Sequence, residues 1–265
     1  MYLLLCTISV CSLCSVSGCA VNPITGQKEL MLLSPDEDIQ IGRRYAPEIE
    51  KKLHGKITDE QLQRYIDSVG QKIAAVCHRP DWDYHFTAVK DKSINALALP
   101  GGYVFITKGL LKKLKNEAQL AGILGHEVSH VVARDSAVAL SRAQLATMLL
   151  AAAVSADTPA NAIRVAQFTQ YFLSLKYSRT DEKQADQSGM NYMVKAGYDP
   201  AEMIKVMQMF DAEEKIRPIE FLSTHPLPVN RIEYLKQELE YRYHNRQNLK
   251  IGTDAYRKNV LNRLR

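Results

Sequence analysis

Apolar residues recur at helical spacing along most of this chain, and the period changes in only one region. The first helical stretch is SPDEDIQIGRRYAPEIEKKL (34–53). Ser34 stands at a cap position, Pro35 in the first turn, and Asp36, Glu37 and Asp38 behind it. A second helix opens at Thr58, with Leu62, Ile66, Val69, Ile73 and Val76 on one face. The period then drops to two. WDYHFTAVK (82–90) alternates and is rich in aromatics, as a strand should be, and NALALPGGYVFIT (95–107) reads as two short strands broken by Pro100-Gly101-Gly102. From Leu110 onward helical spacing returns: 116–133, a long Ala-rich pair over 136–177, then 180–196, 200–214 and 228–245. There is no repeat at a fixed period and no low-complexity block. The pattern predicts an α+β fold, predominantly α-helical, with a few short strands.

Two apolar stretches bear on location. Residues 143–156, AQLATMLLAAAVSA, carry no charge but fall short of a bilayer span, so a buried helix or an interfacial hairpin is expected. The N-terminus, MYLLLCTISVCSLCSVSGCA, is uncharged, apolar through its middle and ends in small residues, as a secretory signal does. Val16-Ser17-Gly18-Cys19 resembles a bacterial lipobox, which implies cleavage before Cys19 and lipid on its thiol; the absence of Lys or Arg ahead of the apolar run departs from that pattern. Ala20 is not the aspartate associated with inner-membrane retention, so the periplasmic face of the outer membrane is expected. The chain then divides into a signal peptide (1–18), a lipidated tether (19–33), a main domain (34–245) and a C-terminal tail (246–265).

Composition narrows the function classes. The 265 residues, 46% of them hydrophobic, suffice for one large domain with a substantial core. The net charge of +5 is mild, and the densest basic run, KGLLKKLK (108–115), reads as a solvated helix face, so no nucleic-acid partner is expected. Of the cysteines, Cys6, Cys11 and Cys14 leave with the signal and Cys19 would be lipidated. Cys77 alone remains, as a core residue, which excludes a disulfide framework and a cysteine metal cluster.

The candidate chemistry lies in LAGILGHEVSHVVARDS (120–136). His126 and His130 are four apart and share one helix face, where a single Zn²⁺ can take both imidazoles. Glu127, beside the first, is within reach of a water as general base. The surrounding positions, among them Ile123, Leu124, Val128 and Val132, are apolar. Two buried imidazoles would be costly there without partners, and metal ligation satisfies them. A catalytic zinc needs a third protein ligand and an open position. One familiar arrangement requires Gly three and His six residues after His130; Ala133 and Ser136 stand there, which excludes it. Asp135, five residues on, is not expected to curl back to the same metal. Downstream, in YSRTDEKQADQSG, Glu182 can ligate while Asp186 accepts from His126. Spacing alone equally allows an acidic helix start behind a Thr180 cap.

HEVSH, SRTDEKQAD (178–186) and STHPLPVNRI (223–232) together resemble the HtpX-like and CAAX-prenyl-protease-like family of zinc metallopeptidases, in its bacterial outer-membrane lipoprotein branch. NPITGQKELMLLSPDEDIQIG and NALALPGGYVFITKGLL are similar to the same branch, so the resemblance runs from about Asn22 to Leu235. It implies a zincin-like metallopeptidase domain, its small β-sheet beside the helix over 116–133, with His126, His130 and Glu182 as zinc ligands, Glu127 as base and Asp186 as the aspartate supporting a ligand histidine. It puts Asn95, Gly101 and Gly102 in the strand region lining the cleft, where an extended substrate can pair as an added strand; a turn explains the same residues without substrate. His225 is implied either to fill the open zinc position and hold the enzyme latent or to donate to the oxyanion, the plain alternative being a loop histidine. Pro226 and Pro228 stiffen its loop, and Arg231 is a candidate anchor for it. The tail is too short for a TPR array, so docking through such repeats is not expected. The expected activity is an endopeptidase acting on unfolded or misassembled envelope proteins. A non-proteolytic or latent zinc-containing chaperone or assembly factor is the alternative, and a membrane-embedded prenyl-peptide protease lacks the spans it would need.

Overall fold

Residues 19–33, expected as a tether, form a docked hairpin. In the computed structural model, which describes residues 18–153, 163–226, 230–245 and 247–264, β1 (Cys19–Val21) pairs antiparallel with β2 (Lys28–Leu30). Asn22 closes the turn. Its carboxamide oxygen accepts from Ile24 N at 2.9 Å, and its amide donates to Glu29 at 2.9 Å and to Gln184 at 3.2 Å. Met31 then buries itself against Ala137 and Val138. Strands of three residues carry no readable alternation, and the hairpin is held largely by partners more than a hundred residues away. The expected signal segment lies outside the described residues apart from Gly18, as does the stretch 154–162 of the Ala-rich pair.

The first helix follows its sequence signals. α1 (Pro35–Lys52) opens on a capping box, Ser34 and Glu37 exchanging side-chain and backbone hydrogen bonds. α2 (Glu60–Ala74) is capped by Asp59, one residue past the expected Thr58, and buries Leu62, Ile66, Val69 and Ile73 completely. Gly70 lets α2 lie flat on the sheet, since a Cβ there would stand 2.3 Å from the Phe86 ring.

The sheet has three strands: β3 (His85–Val89), β4 (Ala96–Leu99) and β5 (Tyr103–Thr107), in the order β3-β5-β4. β5 runs parallel to β3 and antiparallel to β4, which leaves β4 as an outer strand beside the motif helix. After the short α3 (Lys108–Lys113), Asn116 caps α4 (Glu117–Ala133), every residue of which is buried. The helices α5 (Asp135–Ala153), α6 (Ile163–Ser174), α7 (Arg179–Lys195), α8 (Ala201–Glu214), α9 (Glu220–Thr224) and α10 (Arg231–Arg242) follow. α4 and α7 cross where Gly125 meets Gly189; a Cβ at Gly125 would be 3.2 Å from Gly189 O. That crossing sets the spacing of the residues discussed next.

The C-terminal segment is part of this core. α11 (Thr253–Tyr256) runs into a π-helical turn, and Tyr256, Val260 and Leu264 are buried. Lys250 Nζ and the Tyr198 hydroxyl both meet the Glu117 carboxylate, at 2.7 and 2.6 Å, tying this segment to the start of α4. Cys77 is buried, as expected, beside the Tyr84 hydroxyl. Among the described residues no helix is long and apolar enough to cross a membrane.

Candidate metal centre

Four potential ligands converge at the end of the α4–α7 contact. His126 and His130 come from successive turns of α4, Glu182 from the first turn of α7, and His225 from the residue that ends α9. One donor atom from each lies within 4.8 Å of the others, and all four residues are buried. The separations are 3.2 Å between the Nε2 atoms of His130 and His126, 3.2 Å from His126 Nε2 to His225 Nδ1, 2.8 Å from His225 Nδ1 to Glu182 Oε1 and 3.4 Å from His130 Nε2 to Glu182 Oε1. Tetrahedral zinc with bonds of 2.0–2.1 Å would separate its ligand atoms by about 3.3 Å. The donor set and its spacing therefore fit a zinc ion.

The outer nitrogens of the two helical histidines are each held by a carboxylate. His126 Nδ1 is 3.0 Å from Asp186 Oδ1, and His130 Nδ1 is 2.7 Å from Asp135 Oδ2. Such partners select the tautomer whose Nε2 is free to ligate. Arg231, also buried, stands 2.9 Å from Glu182 and donates twice to Asp186, at 2.6 and 2.7 Å; the Tyr234 hydroxyl donates to Asp186 as well. Aromatic rings fix the remaining faces. Tyr177 stacks on His130 with centroids 3.8 Å apart, and Phe221 stacks on His225 at 4.4 Å.

Electrostatics differ sharply between these neighbours. Burial pushes the Glu127 carboxyl above its usual range, although His126 and His130 oppose the shift. Burial acts the same way on Glu182, but the histidines around it prevail and hold it well below the usual range. His126 and His225 are lowered, chiefly by burial. Burial also works against a charged His130, yet Asp135 and Glu182 outweigh it and raise that histidine to about 10. Both Glu127 oxygens and His225 Nε2 are buried without a hydrogen-bond partner, and Nε2 stands 3.7 Å from Glu127 Oε1.

The residues singled out in the sequence separate into four groups. His126, Glu127, His130, Glu182, Asp186, His225 and Arg231 are brought together. Asn95 lies just before β4, its backbone bonded to Thr107, and its unpartnered carboxamide oxygen shares a recess with His225 and Tyr177. Gly101 and Gly102 stand apart. A Cβ on Gly101 would meet Ile39 Cα at 2.7 Å, and one on Gly102 would meet Asp83 O at 2.1 Å, so tight packing on α1 and on the chain before β3 accounts for both. Cys19 is exposed at the start of β1. Sequence reasoning did not single out Tyr177 or Tyr234, which carry no motif signal, and it weighed Asp135 only as a metal ligand and not as a partner of His130. The α7 cap is Ser178, bonded to Asp181, and not Thr180, which frees the first turn of α7 to present Glu182 inward.

The model of peptidase family M48 matches residues 60–239. The chain is 32% identical to the putative beta-barrel assembly-enhancing protease of Vibrio cholerae over 66% of its own length and 39% of that protein's. It is 30% identical to the beta-barrel assembly-enhancing protease of Escherichia coli K12 over 79% of its length and 45% of the relative's. It is 33% identical to the mitochondrial metalloendopeptidase OMA1 of Schizosaccharomyces pombe, over 77% of its length and 63% of the other's. The chain thus spans less than half the length of the two bacterial relatives.

Proposed function

Because the chain belongs to peptidase family M48, we propose that it is a zinc-dependent metalloendopeptidase. Its substrates would be peptide bonds in unfolded or misassembled proteins of the bacterial cell envelope. The observation carrying this reading is the buried cluster of three imidazoles and a carboxylate with the unpartnered Glu127 beside it. The names of the bacterial relatives support the substrate class.

His126, His130 and Glu182 would hold the metal. Zinc, when bound, supplies Lewis acidity toward a peptide carbonyl and lowers the pKa of water toward about 7. Glu127 then takes a proton from the attacking water and passes it to the leaving amine nitrogen. Burial holds its carboxyl above the usual range, which favours its accepting that proton. Asp186 keeps His126 in its ligating tautomer, and Arg231 balances Asp186 and Glu182. β4 is an outer strand next to α4 with Asn95 just before it, and an extended substrate would pair along it once that buried edge is uncovered.

A second reading is favoured by one feature. His225 Nδ1 already completes a four-donor set, which is how closed zinc sites are built. In that reading the protein is latent, or acts as a non-proteolytic assembly factor that binds clients. Glu127 speaks for the enzyme, since a structural site needs no carboxylate beside its ligands.

The exposed Cys19 supports a lipid anchor at the periplasmic face of the outer membrane. With 19–33 folded onto the domain, such an anchor would hold the site close to the membrane surface. The deciding experiment is zinc-dependent cleavage of casein by the chain from Cys19, beside Glu127→Gln and His225→Ala. Loss of cleavage in Glu127→Gln with zinc retained supports the peptidase. Cleavage seen only in His225→Ala makes it a latent one. Zinc binding without cleavage in every variant refutes the enzyme in favour of the client-binding reading.

A further inference from the structure

The two ligand histidines of α4 are oriented by carboxylates of different origin. Asp186 reaches His126 from another helix. Asp135 reaches His130 from five residues further along the same chain, which an uninterrupted helix forbids: at 3.6 residues per turn and 1.5 Å rise, positions five apart point about 140° away from each other and lie about 7.5 Å apart along the axis. The chain breaks at Arg134 (φ 62°, ψ 33°), a left-handed residue that ends α4 and lets α5 begin at Asp135.

Glycine is the usual residue in that conformation, because a side chain there costs about 1–2 kcal/mol. Arginine occupies it, and the side chain explains why. Arg134 Nε donates to Asp38 Oδ2 of α1 at 2.5 Å, and Nη2 donates to Leu33 O at 2.8 Å, with both charged groups buried. α1 thereby clamps the reversal in place. The Asp135 carboxylate meets His130 Nδ1 at 2.7 Å while Tyr177 stacks on the ring face, so both the rotation and the tautomer of the imidazole are fixed.

We propose that Asp135 is the positioning residue for the ligand His130, and that the buried Asp38–Arg134 pair is the brace that sets its reach. The role rests on the metal-centre reading above. An Nδ1–H held by a carboxylate leaves the Nε2 lone pair aimed at His126 Nε2 and Glu182 Oε1, 3.2 and 3.4 Å away, and makes it a better donor. α1, remote from HEVSH in sequence, thus becomes part of the ligand-orienting machinery.

The test measures zinc dissociation constants of the chain from Cys19 by competition with a chromophoric chelator, beside the exchangeable ring N–H resonances of the cobalt-substituted protein. Asp135→Ala should weaken zinc by about 10- to 100-fold and lose one of the two slowly exchanging ligand N–H signals. Asp135→Asn, whose amide oxygen still accepts from Nδ1–H, should lose less affinity and keep the signal. Arg134→Gly tolerates the left-handed conformation and removes only the brace; together with Asp38→Asn it should weaken zinc several-fold. Unchanged affinity and both signals in Asp135→Ala would overturn the positioning role while leaving the metal centre intact. Unchanged affinity in the Arg134 and Asp38 variants would overturn the brace. If the wild-type chain binds neither zinc nor cobalt, the metal-centre reading fails and this proposal with it.

Discussion

The glycine contact between α4 and α7 makes a quantitative prediction, because the zinc ligands are distributed across it. Glycine inside a helix is worse than alanine by about 0.8–1.0 kcal/mol, so Gly→Ala should stabilise wherever a methyl fits. At Gly122 it nearly does: the closest atoms are Met193 Sδ at 3.3 Å and Met203 Cβ at 3.5 Å, side-chain neighbours with some freedom to give. At Gly189 the added methyl would meet Met203 Cε at 2.9 Å, His126 N at 3.1 Å and Gly125 C at 3.2 Å. The methionine end can move, but the backbone of the ligand helix can yield only if α4 and α7 separate. Overpacking of this kind costs about 1–3 kcal/mol, against which the propensity gain is the smaller quantity. Gly122→Ala should therefore be neutral or up to about 1 kcal/mol more stable. Gly189→Ala should lose about 1–2 kcal/mol, roughly 2–4 °C in Tm for a chain of this size. Since Glu182 and Asp186 lie on one side of the contact and His126 and His130 on the other, the same separation should weaken zinc on the order of tenfold in Gly189→Ala alone. Thermal unfolding of the metal-free chain and chelator competition measure the two effects. Gly189→Ala as stable as Gly122→Ala, with wild-type zinc affinity, would refute the claim that this contact sets the ligand geometry.

Two further predictions follow from buried charge. Arg231→Leu leaves Glu182 and Asp186 without their cation, so the metal-free chain should lose about 3–5 kcal/mol; zinc replaces that cation at Glu182, so calorimetry should show a larger zinc-induced rise in Tm than in wild type, and a metal-free loss under 1 kcal/mol would count against the pairing. Glu117 is nearly inaccessible, and although burial opposes ionisation, Lys250, Tyr198 and Tyr65 together lower its pKa below 4.5. A depressed folded-state pKa stabilises above the unfolded value and ceases to do so as pH falls through the folded one. Glu117→Gln should thus lose about 1–2 kcal/mol in urea unfolding at neutral pH, with the gap to wild type shrinking below about pH 4.5; a gap that is constant or widens toward pH 3 would refute this.

The legible parts of the fold were those written in local periodicity. The Ser34 cap, the apolar face of α2, the paired strands around Pro100 and the helical spacing of His126 and His130 all follow from residues within one or two turns of each other. The docked hairpin at 19–33 did not, because Asn22 is held by Gln184 and Met31 by α5, contacts that no local pattern encodes. Gly101 and Gly102 were readable as a turn and equally as cleft-lining residues, and the close backbones of α1 and residue 83, which demand glycine at both, are contacts that no local pattern encodes. Asp135 illustrates a different limit. Spacing set it aside as a ligand to the same metal and left unasked whether its carboxylate could reach His130, which a continuing helix would prevent. The departure lies in one non-glycine residue whose left-handed conformation depends on a partner almost a hundred positions earlier in the chain.

Charge explains why so many carboxylates surround one small cluster. Within its immediate shell, Glu127, Glu182, Asp186 and Asp135 face a single guanidinium, that of Arg231, while the Asp38–Arg134 pair balances itself nearby. With neutral histidines this leaves an excess of three negative charges in a volume closed to solvent, which is untenable unless a cation or protons enter. Protons are favoured there by the same neighbours: Asp135 and Glu182 raise His130 to about 10, and burial raises Glu127 above its usual range. A divalent cation held by His126, His130 and Glu182 would answer better, because it would remove two charges at once. It would also favour the neutral form of His130 that can ligate. The remaining excess falls on Glu127, the one carboxylate with no cation or donor of its own. A group left anionic and unpaired in a buried site accepts a proton readily, and that is the property a general base beside a zinc ion requires.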